Sequence, residues 1–113
     1  MLEKAKDFAV EIVNICRSAK KTNCESVLTN QLMRSGTSIG ANIHESKYAH
    51  GTADFVAKMQ IALKECYESE YWLELLNRTE NISDEEYKHL QNMCGSIRRM
   101  LISSINTVKN NSK

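Results

Sequence analysis

The sequence predicts an all-α fold, an antiparallel up-down-up-down four-helix bundle, on three observations. The 113 residues include no proline and only four glycines, and β-branched runs are short, so little interrupts helices or favours strands. Apolar residues recur at three- and four-residue steps through four separate segments, the spacing that gathers them on one face of a helix. Short polar stretches with helix start and stop signals join the segments, and short connections make antiparallel neighbours. One domain over residues 1–113 is expected, long enough to bury a core without disulfides or metal.

The first helix is expected from about Leu2 to Lys20, with Ala5, Phe8, Ala9, Ile12, Ile15, Cys16 and Ala19 as its apolar face. Lys20 and Lys21 suit a C-terminal turn, where the helix dipole favours cations. Thr22-Asn23-Cys24-Glu25 has the Ser/Thr-x-x-Glu form of a capping box, which sets the entry to the second helix near residue 23. That helix continues to about Tyr48, where His50-Gly51 supplies a stop, Gly51 being suited to a left-handed cap.

The face of the second helix is Leu28, Leu32, Ser35, Gly36, Ile39, Ile43 and Ser46, of which only four are large and apolar. Gly36 and Gly40 lie inside it, and each costs about 1 kcal/mol relative to alanine. The compensating gain is close approach of a neighbouring backbone; the alternative is a break at Ser35-Gly36. The expectation is a thin, small-residue seam.

Thr52 is the expected N-cap of the third helix, which ends near Asn77. Phe55, Met59, Ala62, Leu63, Cys66 and Leu73 form one face, and Ile61, Glu65, Glu68, Trp72 and Leu75 a second, roughly opposite stripe. A helix apolar on two sides is usually buried on two sides. Ile61, Trp72 and Leu75 are therefore candidates for a subunit interface, with tryptophan as the energetic anchor; the competing reading is a wide core stripe, or Trp72 covering a loop. Ser83-Asp84-Glu85-Glu86 is a second capping box, with acids in the first turn. The fourth helix carries Tyr87, Leu90, Cys94, Ile97, Leu101, Ser104 and Val108 as a heptad-like seam, and fraying is expected from Asn110 to Lys113.

The chemistry is sparse. The formal charge is +1, which argues against a strongly electrostatic nucleic-acid binder, although residues 52–82 sum to −3 and the two terminal segments, 1–22 and 83–113, to +2 each. Arg98, Arg99 and Lys109, with Lys4, Arg17, Lys20 and Lys21, are the candidate nucleic-acid contacts, since phosphate contacts add through counterion release. Cys16, Cys24, Cys66 and Cys94 show no metal spacing; the first, third and fourth fall on apolar faces, and Cys24 sits near a loop where exposure is expected. A carboxylate-bridged metal site needs Glu-x-x-His on two helices, and Glu86-Tyr87-Lys88-His89 is a single match. Ser35, Ser38 and Cys66 lack a histidine at helical spacing, and no catalytic residue, metal, cofactor or small-molecule substrate is expected. Nothing approaches the roughly 20 apolar residues of a membrane span, and no signal peptide is recognised, so the expected compartment is the cytoplasm.

Two blocks carry a resemblance. Gln31-Leu32-Met33-Arg34-Ser35-Gly36-Thr37-Ser38-Ile39-Gly40-Ala41-Asn42-Ile43 is one; the other runs from Asp54-Phe55-Val56-Ala57-Lys58-Met59 through Ile61-Ala62-Leu63-Lys64-Glu65 and Glu68 to Trp72-Leu73-Glu74-Leu75-Leu76. In order and spacing they resemble the four-helix-bundle family of 23S rRNA intervening-sequence proteins, over about Phe8 to Leu76. The resemblance implies a homo-oligomer, a ring of five. Similar proteins include accessory proteins of diversity-generating retroelements, basic rings associated with a reverse transcriptase and nucleic acid; this chain departs from them by being nearly neutral. An RNA or reverse-transcriptase-like partner is what the resemblance implies, and a scaffold that recognises only protein is the alternative. Arg34, Asn42, Glu45, Glu65 and Glu68 are the polar residues within or beside these blocks. Arg34 is expected to hold Glu65 or Glu68 through paired hydrogen bonds, fixing register within or between subunits.

Overall fold

The computed structural model describes residues 1–111; the expected fraying of Ser112 and Lys113 lies outside the described residues. Four helices fill nearly the whole of that range: α1 (Leu2–Lys21), α2 (Ser26–Ser46), α3 (Thr52–Arg78) and α4 (Asp84–Asn111). Each packs on the next in sequence and α4 returns to α1, with the α1–α4 seam the most lightly packed. The result is an antiparallel bundle 50 Å long and about 20 Å across. Asn110 and Asn111 continue α4 rather than fraying.

The core follows the predicted periodicity. Ala5, Phe8, Ile12, Cys16 and Ala19 of α1 are buried, as are Leu90, Cys94, Ile97, Leu101 and Ile105 of α4. In α2 the small-residue seam forms without a break: Ser35, Gly36 and Gly40 are buried within one continuous helix, with Thr29 added to the predicted face. Gly36 turns to Ile12 and Gly40 to Ala5, so the seam is where α1 comes close.

Two helix ends differ from expectation for the same reason. Thr22 belongs to α1 instead of opening α2: its hydroxyl donates to the Ala19 carbonyl at 2.9 Å. Asn23 takes a left-handed φ of 64°, and the amides of Asn23 and Cys24 donate back to Lys20 and Ala19. This is a Schellman turn, which satisfies orphan carbonyls at a helix end. Helix α2 therefore starts at Ser26, with no side-chain cap from Glu25. The same turn recurs after α3, where Glu80 has φ 64° and the amides of Glu80 and Asn81 reach Asn77 and Leu76.

Cys24 is buried rather than exposed, because the Schellman turn folds the residue after the left-handed position onto the last helical turn, the place of its usual apolar contact. Helix α2 ends at Ser46, two residues early, in a tight turn of i→i+3 bonds through Lys47, Tyr48 and Ala49. Gly51, with φ 106° and ψ 178°, and not Thr52, is the N-cap of α3; that conformation is open to glycine and strained for other residues. The second capping box forms in full: Ser83 N–H donates to Glu86 Oε1 at 2.9 Å, and Glu86 N–H to Ser83 Oγ at 3.1 Å.

Candidate functional site

The densest polar arrangement lies on the α2–α3 seam. Gln31, Arg34, Ser35 and Ser38 recur at helical spacing on α2, and Glu65, Glu68, Ser69 and Trp72 do so on α3, so the two helices turn these sets toward each other. Arg34 Nη1 donates to Glu65 Oε2 at 3.2 Å, and its Nη2 bonds Glu68 Oε2. Nε and Nη2 also donate to Gln31 Oε1. One arginine thus binds two carboxylates and an amide, all within the subunit.

The carboxylates are unequal. Glu65 is buried and Glu68 is half-buried. Burial, followed by the neighbouring Glu68 charge, pushes the Glu65 carboxyl above the ordinary range. The hydrogen bond from Arg34 holds Glu68 below it, and the same bond holds the Arg34 guanidinium above its usual value. One turn further, Ser69 Oγ donates to Ser35 Oγ at 2.9 Å, fully buried, and Ser35 Oγ donates to the Leu32 carbonyl. The other two polar residues from the sequence blocks stay apart. Asn42 Nδ2 donates to the Ser38 carbonyl of its own helix, and Glu45 pairs with Lys58 at 3.4 Å.

By period Glu65 falls on the second stripe of α3, yet it points inward, because α3 packs on α2 and α4 on adjoining sides. The rest of that stripe is mixed. Ile61 is 41% exposed, Trp72 and Leu75 are half-buried, and Trp72 packs against the core cluster. The Trp72 Nε1–H is buried without a hydrogen-bond partner, which is uncommon for a buried indole. Tyr71 meets Trp72 edge-on, ring centroids 5.0 Å apart. Tyr67 and Tyr71, 51% and 58% exposed, were not singled out from the sequence, although Tyr71 lies within about 100° of Ile61, Trp72 and Leu75 at 100° per residue.

The cations do not share one surface. Arg17, Lys20 and Lys21 sit where α1 ends and α4 begins; Lys109 is in the last turn of α4, about 40 Å away at 1.5 Å per residue. Arg98 is half-buried and committed: its Nε donates to Glu70 Oε1 at 2.9 Å, and its guanidinium lies 5.7 Å from the Tyr67 ring centroid. Arg99 is exposed. On the α1–α4 seam, His89 Nε2 lies 2.8 Å from Glu11 Oε1, beside a groove of about 250 Å³ between the two helices. Glu86 serves the capping box, and no three potential metal ligands gather among the described residues.

The profile of the 23S rRNA-intervening sequence protein family matches residues 1–103. The chain belongs to that family. A solved structure from Bacteroides thetaiotaomicron, a protein of unknown function from the S23 ribosomal protein family, is 49% identical. It superposes with a TM-score of 0.90, and the match covers 92% of this chain and 96% of that one. Among curated proteins nothing matches. The family match takes in the Arg34–Glu65–Glu68 cluster, the aromatic side of α3, and Arg98 and Arg99; Lys109 lies beyond it. No helix among the described residues is long and apolar enough to cross a membrane.

Proposed function

We propose that this family member is a non-catalytic assembly module that joins copies of itself through the outer side of α3. The observation that supports it is the arc of Ile61, Tyr71, Trp72 and Leu75, large apolar and aromatic side chains on a helix whose other sides already meet α2 and α4. Ile61 and Tyr71 are exposed and Trp72 and Leu75 half-buried; large apolar side chains left at the surface of one helix side are candidates for an interaction site, and aromatic residues are the usual anchors of interfaces. The polar groups beside the arc are spent on one another: Arg34 on Gln31, Glu65 and Glu68, Ser69 on Ser35. That cluster fixes how α2 and α3 sit together and presents no nucleophile with a base.

A ring of five, as the sequence resemblance implies, is one closed form that a head-to-tail interface takes. The scattered cations support RNA binding less well than they support solubility, since phosphate contacts must fall along one path to add. Light scattering on the full chain at micromolar concentration tests the reading. The expected result is an oligomer that Ile61→Lys with Tyr71→Lys converts to a monomer with its helical circular dichroism intact. A monomeric wild type overturns it, and RNA retention that falls steeply with salt would favour the nucleic-acid reading instead.

A further inference from the structure

A head-to-tail assembly needs two different faces, and the α3 arc is one of them. At about 100° per residue, Ile61, Trp72 and Leu75 lie within roughly 40° of Glu68, which reaches Arg34 of α2. The arc therefore looks out from the side of the bundle that α2 and α3 share. The adjoining side, shared by α1 and α2, carries a smaller apolar set: Val10 is 59% exposed, and Val13 and Met33 are half-buried. Val13 lies roughly opposite Lys4 and Glu11 on the helix, the residues that reach α4. Met33 stands within about 60° of Gly36 and Gly40, which turn to α1.

Two contacts fix the relative heights of these faces. Ile12 packs on Gly36, and Ser35, the residue before Gly36, bonds Ser69 of α3. Ile12, Gly36 and Ser69 thus share one level of the bundle. Val10 and Val13 bracket Ile12 along α1, and Ile61 and Leu75 bracket Ser69 along α3, so both sets are centred on that level. Four helices each packed on the next put adjoining sides about a right angle apart. Copies joined through faces at equal height and less than a straight angle apart close into a ring, whereas an axial offset would wind them into a filament.

Charge fits the same pairing. Lys6 precedes Val10 by four residues and Arg17 follows Val13 by four, so both lie on the valine stripe. On the arc side, Arg34 answers two carboxylates, Glu65 and Glu68, which leaves that cluster one positive charge short.

We infer that Val10, Val13 and Met33, between Lys6 and Arg17, form the surface that receives the α3 arc of a second copy of this chain. The inference rests on the assembly reading and adds to it the other half of the interface.

Mixing two full-chain variants tests it. Val10→Lys with Val13→Lys spoils one face, and Ile61→Lys with Tyr71→Lys spoils the other. Each alone should be monomeric by light scattering at micromolar concentration, with its helical circular dichroism intact. Mixed in equal amounts, they should form a 1:1 dimer and nothing larger, because one intact pair of faces remains. The mixture is measured at a concentration about a hundredfold higher, since a single interface lacks the avidity of a closed ring. Val10→Lys alone alters an exposed position outside the core and should weaken assembly about tenfold or more; it replaces the valine pair if that variant unfolds. A folded valine variant that assembles like wild type, or a mixture that stays monomeric, overturns the receiving face and leaves the arc standing. A monomeric wild type, or undisturbed assembly of Ile61→Lys with Tyr71→Lys, overturns the assembly reading and this inference with it.

Discussion

Ile12 of α1 packs directly on the backbone of Gly36 in α2: a β-carbon at Gly36 would stand 2.9 Å from Ile12 Cγ2 and 3.0 Å from Cγ1. The contact is with a β-branched side chain that is itself fully buried, so it has little freedom to yield. Gly36→Ala gains about 1 kcal/mol in helix propensity but overpacks a filled core, which costs about 1–3 kcal/mol. A net loss of stability is expected. Gly40 is the internal control: a β-carbon there meets Ala5 at 3.6 Å, ordinary contact, so Gly40→Ala should stabilise by up to about 1 kcal/mol. Denaturant midpoints of the two variants should move in opposite directions; movement in the same direction would mean that the seam is not closely packed at Gly36.

Removing Arg34 leaves a buried carboxylate, Glu65, without its donor. A buried acceptor stripped of its partner costs about 1–3 kcal/mol, and because Arg34 is itself half exposed the lower part of that range applies. Arg34→Leu should therefore lower stability at pH 7 by about 1–2 kcal/mol. Adding Glu65→Gln removes the stranded charge and should recover much of the loss. A double mutant as unstable as the single one would place the cost in lost packing by the arginine stem and not in the charge.

The helices were legible because burial repeats with the helical period, and Ser83-Glu86 was legible because both halves of a capping box are local. The side on which Thr22 falls is not legible in the sequence, because a hydroxyl near a helix boundary serves either helix, and the left-handed Asn23 decides which. Glu65 was misplaced for a different reason. Helix α3 meets two neighbours on adjoining sides, so a period identifies its faces without saying which of them looks inward. The spread of Lys20 and Lys109 to opposite ends was implicit in the antiparallel order.

All four thiols are buried, and three have specific reasons to stay protonated. Burial pushes Cys16 up to about 11. A hydrogen bond with Cys66, then burial, drives Cys94 upward, and its Sγ donates to the Cys66 carbonyl at 3.4 Å. Burial also raises Cys24, at 8% exposure the most accessible of the four. Since the thiolate is the reactive form, iodoacetamide at pH 8 should leave Cys16, Cys66 and Cys94 unmodified in the folded chain and label Cys24 first, with all four reacting in denaturant. Rapid native labelling of Cys94 would contradict the packing of α3 on α4.

Glu65 and Glu68 pull stability in opposite directions with pH. Arg34 depresses the folded value of Glu68, so its contribution is present above the ordinary glutamate value of about 4.3 and is lost as pH falls through the depressed value. Burial and the Glu68 charge raise the folded value of Glu65, so its contribution is present below about 4.3 and is lost as pH rises through the raised value. Two variants separate them. Glu68→Gln should be less stable than wild type at pH 7 and converge with it as pH falls below the ordinary glutamate range and wild-type Glu68 becomes protonated as well. Glu65→Gln should run the other way, gaining on wild type as pH rises from 4 to 7, because the amide accepts from Arg34 without a buried charge. Urea unfolding midpoints measured across that range would show two difference curves of opposite slope. Parallel curves would mean that the carboxylates share Arg34 equally, and the inward placement of Glu65 would then lose its energetic consequence.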